Sequence, residues 1–130
     1  MELFRLAQGL AVNRIAFGAG LILAPSVYAR TWIGSAASDE RAQVLARALG
    51  ARDLALGAGG LLALREADSD RARRWFAAQG VADAVDLLAT LAGGRAVPAP
   101  ARLFAAAMAA GSAAVASTYA RAMTREDPPI

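Results

Sequence analysis

The chain contains no cysteine, no histidine and no lysine. The first two absences remove thiol nucleophiles, disulfides, zinc or haem sites built on thiolate or imidazole, and any histidine general base. No metal and no cofactor is therefore expected, and Asp, Glu, Tyr, Ser and Arg are left as the side chains able to do chemistry. The missing lysine means something else: all fourteen basic residues are arginine, which with the abundant alanine reads as codon composition. Charged residues make up only 19 % and aromatics 6 %, where a soluble domain carries about a quarter charged residues. The net charge of +3 is small and the arginines are scattered between apolar blocks. Without a basic stripe interleaved with aromatics, nucleic acid is not an expected partner.

What the sequence has instead is apolar bulk. Of its 130 residues 57 % are hydrophobic, room for one domain and little more. Four Ala/Leu/Gly-rich stretches read as helices over about Leu3–Ala24, Ala42–Leu64, Trp75–Ala92 and Ala101–Met123. Pro25 stops the first, Ser38-Asp39-Glu40 supplies an N-cap and acidic first turn for the second, and Gly93-Gly94 ends the third. The charged segment Arg65–Arg74 reads as a solvated connection, and the tail Thr124–Ile130 as polar and frayed. Only Leu103–Ala120 meets the requirement of roughly 18 uninterrupted apolar residues for a span. Arg5 precedes an apolar run that Asn13 and Arg14 break, so the first stretch reads as a retained helix rather than a signal peptide. Nothing alternates like a strand. The expected fold is all-α, a single antiparallel up-down-up-down four-helix transmembrane bundle, with a soluble helical bundle as the alternative.

In that topology both termini and Arg65–Arg74 share one side. Arg5, Arg65, Arg71, Arg73, Arg74, Arg121 and Arg125 fall there, against Arg30, Arg41, Arg47, Arg95 and Arg102 opposite. The imbalance favours a multi-pass protein of the plasma membrane with cytoplasmic termini. Tyr28, Arg30 and Trp32, between the first two helices, suit a membrane–water interface.

Ionisable residues interrupt three of the stretches. Gln79, Asp83, Asp86 and Thr90 recur at i, i+4, i+7, i+11 and share one helical face. Counted at about 1.5 Å per residue from the side bearing the termini, Arg14, Arg52, Asp53, Asp83 and Asp86 all lie at nearly one depth. They form one interior layer, with Ser112 at a similar level and Tyr119 near that of Gln79. Isolated charges in hydrocarbon are prohibitive, so pairing such as Arg14–Asp83 and Arg52–Asp86 is the natural arrangement, with the sequence leaving open which arginine meets which aspartate. Two arginines against three aspartates leave one acid in surplus, a group free to carry and donate a proton. Gly50, Gly57 and Gly60 on the second helix, and Ala11 and Gly18 on the first, read as close-packing faces.

The segment Ala46-Arg47-Ala48-Leu49-Gly50-Ala51-Arg52-Asp53-Leu54-Ala55-Leu56-Gly57 resembles the signature of a family of short four-helix membrane proteins of unknown function, common in actinobacteria and also found in fungi. Ala82-Asp83-Ala84-Val85-Asp86 resembles its second signature, and the Arg14…Gly18…Pro25 spacing its first helix. The resemblance implies a membrane fold over nearly the whole chain. The chain is also similar in size to small membrane proteins of fungal polyketide pathways that hydrolyse or cyclise epoxides, chemistry that Asp–Arg–Asp groups perform without histidine, metal or cofactor.

Three functions follow. In the first, the protein is a cofactor-independent hydrolase or isomerase acting on a lipophilic small molecule or lipid. Asp53, Asp83 and Asp86 are its acid–base groups, Arg14 and Arg52 orient them, and Asn13, Gln79, Ser112 and Tyr119 bind substrate. In the second, a homodimer forms a proton-coupled small transporter. In the third, the charges are a register-fixing staple in a structural or accessory membrane subunit. The enzyme requires a cavity beside the carboxylates, the transporter a path at a two-fold interface, and the staple neither.

Overall fold

A computed structural model describes residues 2–125, with side chains through Ala122. The described residues are helical, with no strand among them. Four long helices, α1 (Glu2–Leu23), α4 (Glu40–Arg65), α5 (Ser69–Gly93) and α6 (Ala99–Arg125), are joined by short pieces. These include two one-turn helices, α2 (Pro25–Tyr28) and α3 (Arg30–Ile33). A 3-10 turn, Gly34–Ser38, completes the first connection.

The boundaries have local causes. Pro25 occupies the first position of α2 and ends α1 at Leu23. The cap of α4 is Asp39, one residue beyond the expected Ser38: its carboxylate accepts from the backbone N–H of Arg41 (2.8 Å) and Ala42 (3.2 Å). Asp68 caps α5 by accepting from Arg71 N–H at 2.9 Å. Here the structure corrects the expectation of a loop to Arg74. The helix starts at Ser69, because a capped turn whose charges Asp70, Arg71 and Arg74 are exposed needs no apolar face. Helix α6 continues through Arg125, and the rest of the expected frayed tail lies outside the described residues.

Between α4 and α5 the chain reverses through Ala67, whose φ of 54° lies in the left-handed region. That conformation costs an L-residue roughly 1–2 kcal/mol. Ala67→Gly is therefore expected to stabilise the fold by about 1 kcal/mol, read as a raised midpoint of thermal unfolding.

Close approach sets the packing. On α1 the buried positions are Ala7, Ala11, Arg14, Gly18 and Leu21; on α4 they are Ala46, Gly50, Asp53, Gly57, Gly60, Ala63 and Leu64. Both sets recur every three or four residues and make an antiparallel seam. A Cβ on Gly18 would lie 2.6 Å from the Gly50 carbonyl oxygen, and one on Gly57 would lie 2.7 Å from that of Ala11. Since backbone atoms cannot step aside, Gly57→Ala should destabilise the bundle by about 1–3 kcal/mol; thermal unfolding measures this. Helix α5 packs on α6 along its length, whereas α1 and α6 meet far less.

Two apolar cores result. One, at the end bearing the N-terminus, gathers Ala7, Ala11, Ala63, Leu64, Ala72, Phe76, Ala116 and Tyr119. The other, toward the first connection, holds Leu21, Ala29, Ala37 and Ala46. Arg14, Asp53 and Asp83 are buried between them.

The outer surface inverts the usual pattern. On α5 every exposed residue from 75 to 92 is Ala, Val or Leu, while Gln79, Asp83 and Thr90 are buried. Exposed residues of α4 from 48 to 64 are only Ala and Leu. Two helices, Glu2–Leu23 and the stretch Ala99–Ala122, are long and apolar enough to cross a membrane.

Candidate functional site

Each charged side chain reaches the interior because its position belongs to a buried helical face. Asp53 sits in the small-residue seam of α4, between Gly50 and Gly57, and Arg14 takes the matching place on α1. Asp83 lies one turn above Gln79 on the inward face of α5, and Asp86 follows three residues later.

The guanidinium of Arg14, from α1, reaches side chains on three other helices, α4, α5 and α6. Its Nη1 donates to Asp53 Oδ1 at 3.0 Å, and its Nη2 contacts both oxygens of Asp83 at 2.5 Å and Ser112 Oγ at 3.2 Å. Arg52, one-third exposed, grips Asp86 with two parallel bonds, Nη1 to Oδ1 at 2.9 Å and Nη2 to Oδ2 at 2.6 Å. It also turns back to Asp53 Oδ1, from Nη2 at 3.1 Å and Nε at 3.4 Å. The expected pairings Arg14–Asp83 and Arg52–Asp86 are both formed, and Asp53 bridges the two arginines.

The three carboxylates are consequently unequal. Asp83 and Asp86 each give both oxygens to one guanidinium. Asp53 meets both arginines through Oδ1 alone, and among the described residues nothing donates to its Oδ2. Asp53 is thus the carboxylate of the layer with one oxygen left without a donor among the described residues.

That carboxylate borders a cavity of about 550 Å³. Asn13, Arg14, Asp53, Asp83, Asp86 and Ser112 line its polar part. Its remaining wall is apolar and aromatic: Phe17 from α1, Tyr28 and Trp32 from the connection, Phe104 and Met108 from α6. Helices α1 and α6 meet little, and the lining residues Val27, Phe104 and Met108 are exposed.

Three of the residues expected to serve the site fall elsewhere or behind it. Arg52 does not line the cavity but braces Asp53 and Asp86 from the side. Gln79 is fully buried, and its Nε2 donates to the Leu56 carbonyl at 3.0 Å, an approach that the missing side chain of Gly60 permits. Tyr119 packs on Phe76 with ring centroids 4.6 Å apart, in the core nearer the N-terminal end. Gln79 and Tyr119 are thus not placed to touch a molecule in this cavity. Asn13 does line it, from an exposed position.

Sequence reasoning missed the roof. Tyr28, still exposed, and the partly buried Trp32, read as interface anchors, also line the cavity. Tyr28 lies edge-on to Phe17 at 6.0 Å, its ring filling the notch left by Gly20. Trp32 Nε1 donates to Thr90 Oγ1 at 2.9 Å, and Thr90 donates to the Asp86 carbonyl at 2.7 Å. Thr90 was visible in the polar ladder of α5, and a ladder continuing past the carboxylates asks for a partner. Trp32→Phe should keep the fold and cost about 0.5–1.5 kcal/mol, visible as a modest fall in the unfolding midpoint. No family model, no curated protein and no solved structure matches this chain.

Proposed function

We propose that the chain is a multi-pass membrane protein, four helices crossing as an antiparallel bundle, with an acid–base site for a lipophilic small molecule in its interior. The membrane reading is supported by the inverted surface. The segments 6–23, 48–64, 75–92 and 103–120 carry no charged residue outside the central layer, and about 18 residues of helix span about 27 Å, close to a bilayer's hydrocarbon thickness. Large exposed apolar surfaces mark an apolar surrounding, and ionisable groups inside such a belt are functional candidates. The arginine imbalance favours both termini on the cytoplasmic side. The resemblance to short four-helix membrane proteins agrees with this arrangement.

The observation that carries the chemistry is the free oxygen of Asp53 beside a cavity of about 550 Å³. A neutral Asp53 donates its Oδ2 proton to a leaving oxygen, and a neighbouring carboxylate, Asp86, accepts a proton from the attacking water or hydroxyl. For an epoxide, the C–O bond breaks as Asp53 protonates the oxygen, and the water oxygen bonds to carbon as Asp86 takes its proton. Return of that proton to Asp53 through water in the pocket resets the site. Arg14 and Arg52 hold the carboxylates in place throughout. A register-fixing staple would explain the ion pairs but not the cavity, and a dimeric path is less favoured because the layer closes within one chain.

The pocket has a built-in reporter. Trp32 lines it, whereas Trp75 packs over Gly59 on the face between α4 and α5. In a Trp75→Phe background, a brominated alkyl epoxide should quench the fluorescence of Trp32 saturably and be consumed. Quenching that rises linearly without saturation, as by unspecific partition into detergent, would refute the site.

A further inference from the structure

The charge count of the layer and the composition of the wall select a kind of ligand. Arg14 and Arg52 face Asp53, Asp83 and Asp86, so the fully ionised layer carries one negative charge more than it neutralises. That charge belongs to Asp53, 7 % exposed and lining the cavity, with an oxygen to which no described group donates. Inside an apolar bundle such an excess is compensated either by a proton or by a cation brought from outside.

The wall opposite suits the second. Of the chain's eight aromatic residues, four (Phe17, Tyr28, Trp32 and Phe104) line this one cavity. Aromatic faces attract alkylated ammonium groups, the more so when desolvated. A pocket for a neutral hydrocarbon needs no such concentration, and one for an anion would present its guanidinium groups. Here the Nη atoms of both arginines are turned onto carboxylates, and only the buried Arg14 Nε is left without a partner.

We infer that the pocket takes a monovalent lipophilic cation, an alkyl- or arylalkyl-ammonium, in exchange for the proton of Asp53. On binding, the O–H bond at Asp53 Oδ2 breaks, the proton leaves to solvent and the ammonium takes its place, so the charge of the layer plus occupant stays at zero. The groups facing Asp53 are Arg14 from α1, Arg52 on its own helix, Asp83 and Asp86 from α5, Ser112 from α6 and Tyr28 from the roof. The inference rests on the pocket being a site for lipophilic molecules, and not on the chemistry proposed above.

The test uses 6-phenylhexyl-trimethylammonium and the uncharged compound in which a tert-butyl group replaces trimethylammonium. Calorimetric titration of the detergent-solubilised protein, in two buffers of different ionisation enthalpy, measures affinity and proton release together. The expected result is at least tenfold tighter binding of the cation than of its isostere, with proton release accompanying the cation alone. Asp53→Asn should remove the preference and the proton release, the cation then binding no more tightly than its isostere. Equal binding of both compounds by the wild type, without proton release, overturns the inference and leaves the lipophilic pocket standing. Binding of neither overturns the pocket reading as well. A cation preference that survives Asp53→Asn overturns the assignment to Asp53.

Discussion

Arg14→Met is expected to destabilise the bundle by about 3–5 kcal/mol, enough to remove most folded protein. Arg14 is 6 % exposed and holds Asp53 on one nitrogen and Asp83 on the other. Without it, two buried carboxylates lose their shared cation, and Ser112 loses its donor. The size of the loss comes from uncompensated charge and not from missing contacts, so a second change should restore it. In Arg14→Met/Asp83→Leu the layer keeps one arginine and two aspartates, the same surplus as before, and much of the stability should return. Unfolding midpoints in detergent for wild type, both single variants and the double variant measure the coupling between the two residues. Additive losses would mean that the pair does not hold the layer together.

The second large effect separates the carboxylates by role. Asp53→Asn should lower acid–base turnover of a pocket ligand by roughly 10²–10⁴-fold while leaving the unfolding midpoint near that of wild type. The amide oxygen of the introduced asparagine can still accept the bonds that Asp53 Oδ1 takes from Arg14 and Arg52, and its amide nitrogen replaces the oxygen free of donors. Asp83→Asn and Asp86→Asn cannot be accommodated in this way. Both oxygens of each meet guanidinium nitrogens, so an amide N–H₂ would face another donor. These two variants should lose about 1–3 kcal/mol of stability. Equal destabilisation by all three amide variants would remove the distinction on which the site rests.

The parts of this arrangement legible in the sequence are those with short-range or periodic causes. Pro25, the capping aspartates and the Ala/Gly spacing define where the long helices run and which faces approach closely. Depth counting gathers Arg14, Arg52, Asp53, Asp83 and Asp86 because antiparallel helices joined by short connections have a fixed register. It does not select which arginine meets which aspartate, since all five groups share that depth and Arg14 meets an aspartate on each of two facing helices. Nor does depth alone give the angular position around a helix. Gln79 and Tyr119 lie at suitable levels, yet one turns to the Leu56 carbonyl and the other to Phe76.

The roof was not legible for a different reason. Residues 24–39 have no regular period, and their fold depends on what the long helices offer them: a notch at Gly20 for Tyr28, and Thr90 for the Trp32 indole. The start of α5 was obscured by composition, because a charged segment can be solvated as a loop or as a capped helix projecting from the bundle. Which carboxylate is in surplus was also beyond counting. It follows from how many oxygens each guanidinium occupies.

The central claim, that Asp53 is the layer's acid and opens onto the cavity, has a direct measurement because the chain lacks cysteine. Asp53→Cys creates a single thiol in a layer left electrically balanced, and Ala116→Cys creates one at a position with 0 % exposure. With folding verified for both, a small lipophilic maleimide should label the thiol at position 53 readily, and a lipophilic ligand filling the pocket should slow that labelling. The thiol at position 116 should react only on unfolding. Resistance at position 53 equal to that at position 116 would contradict the account.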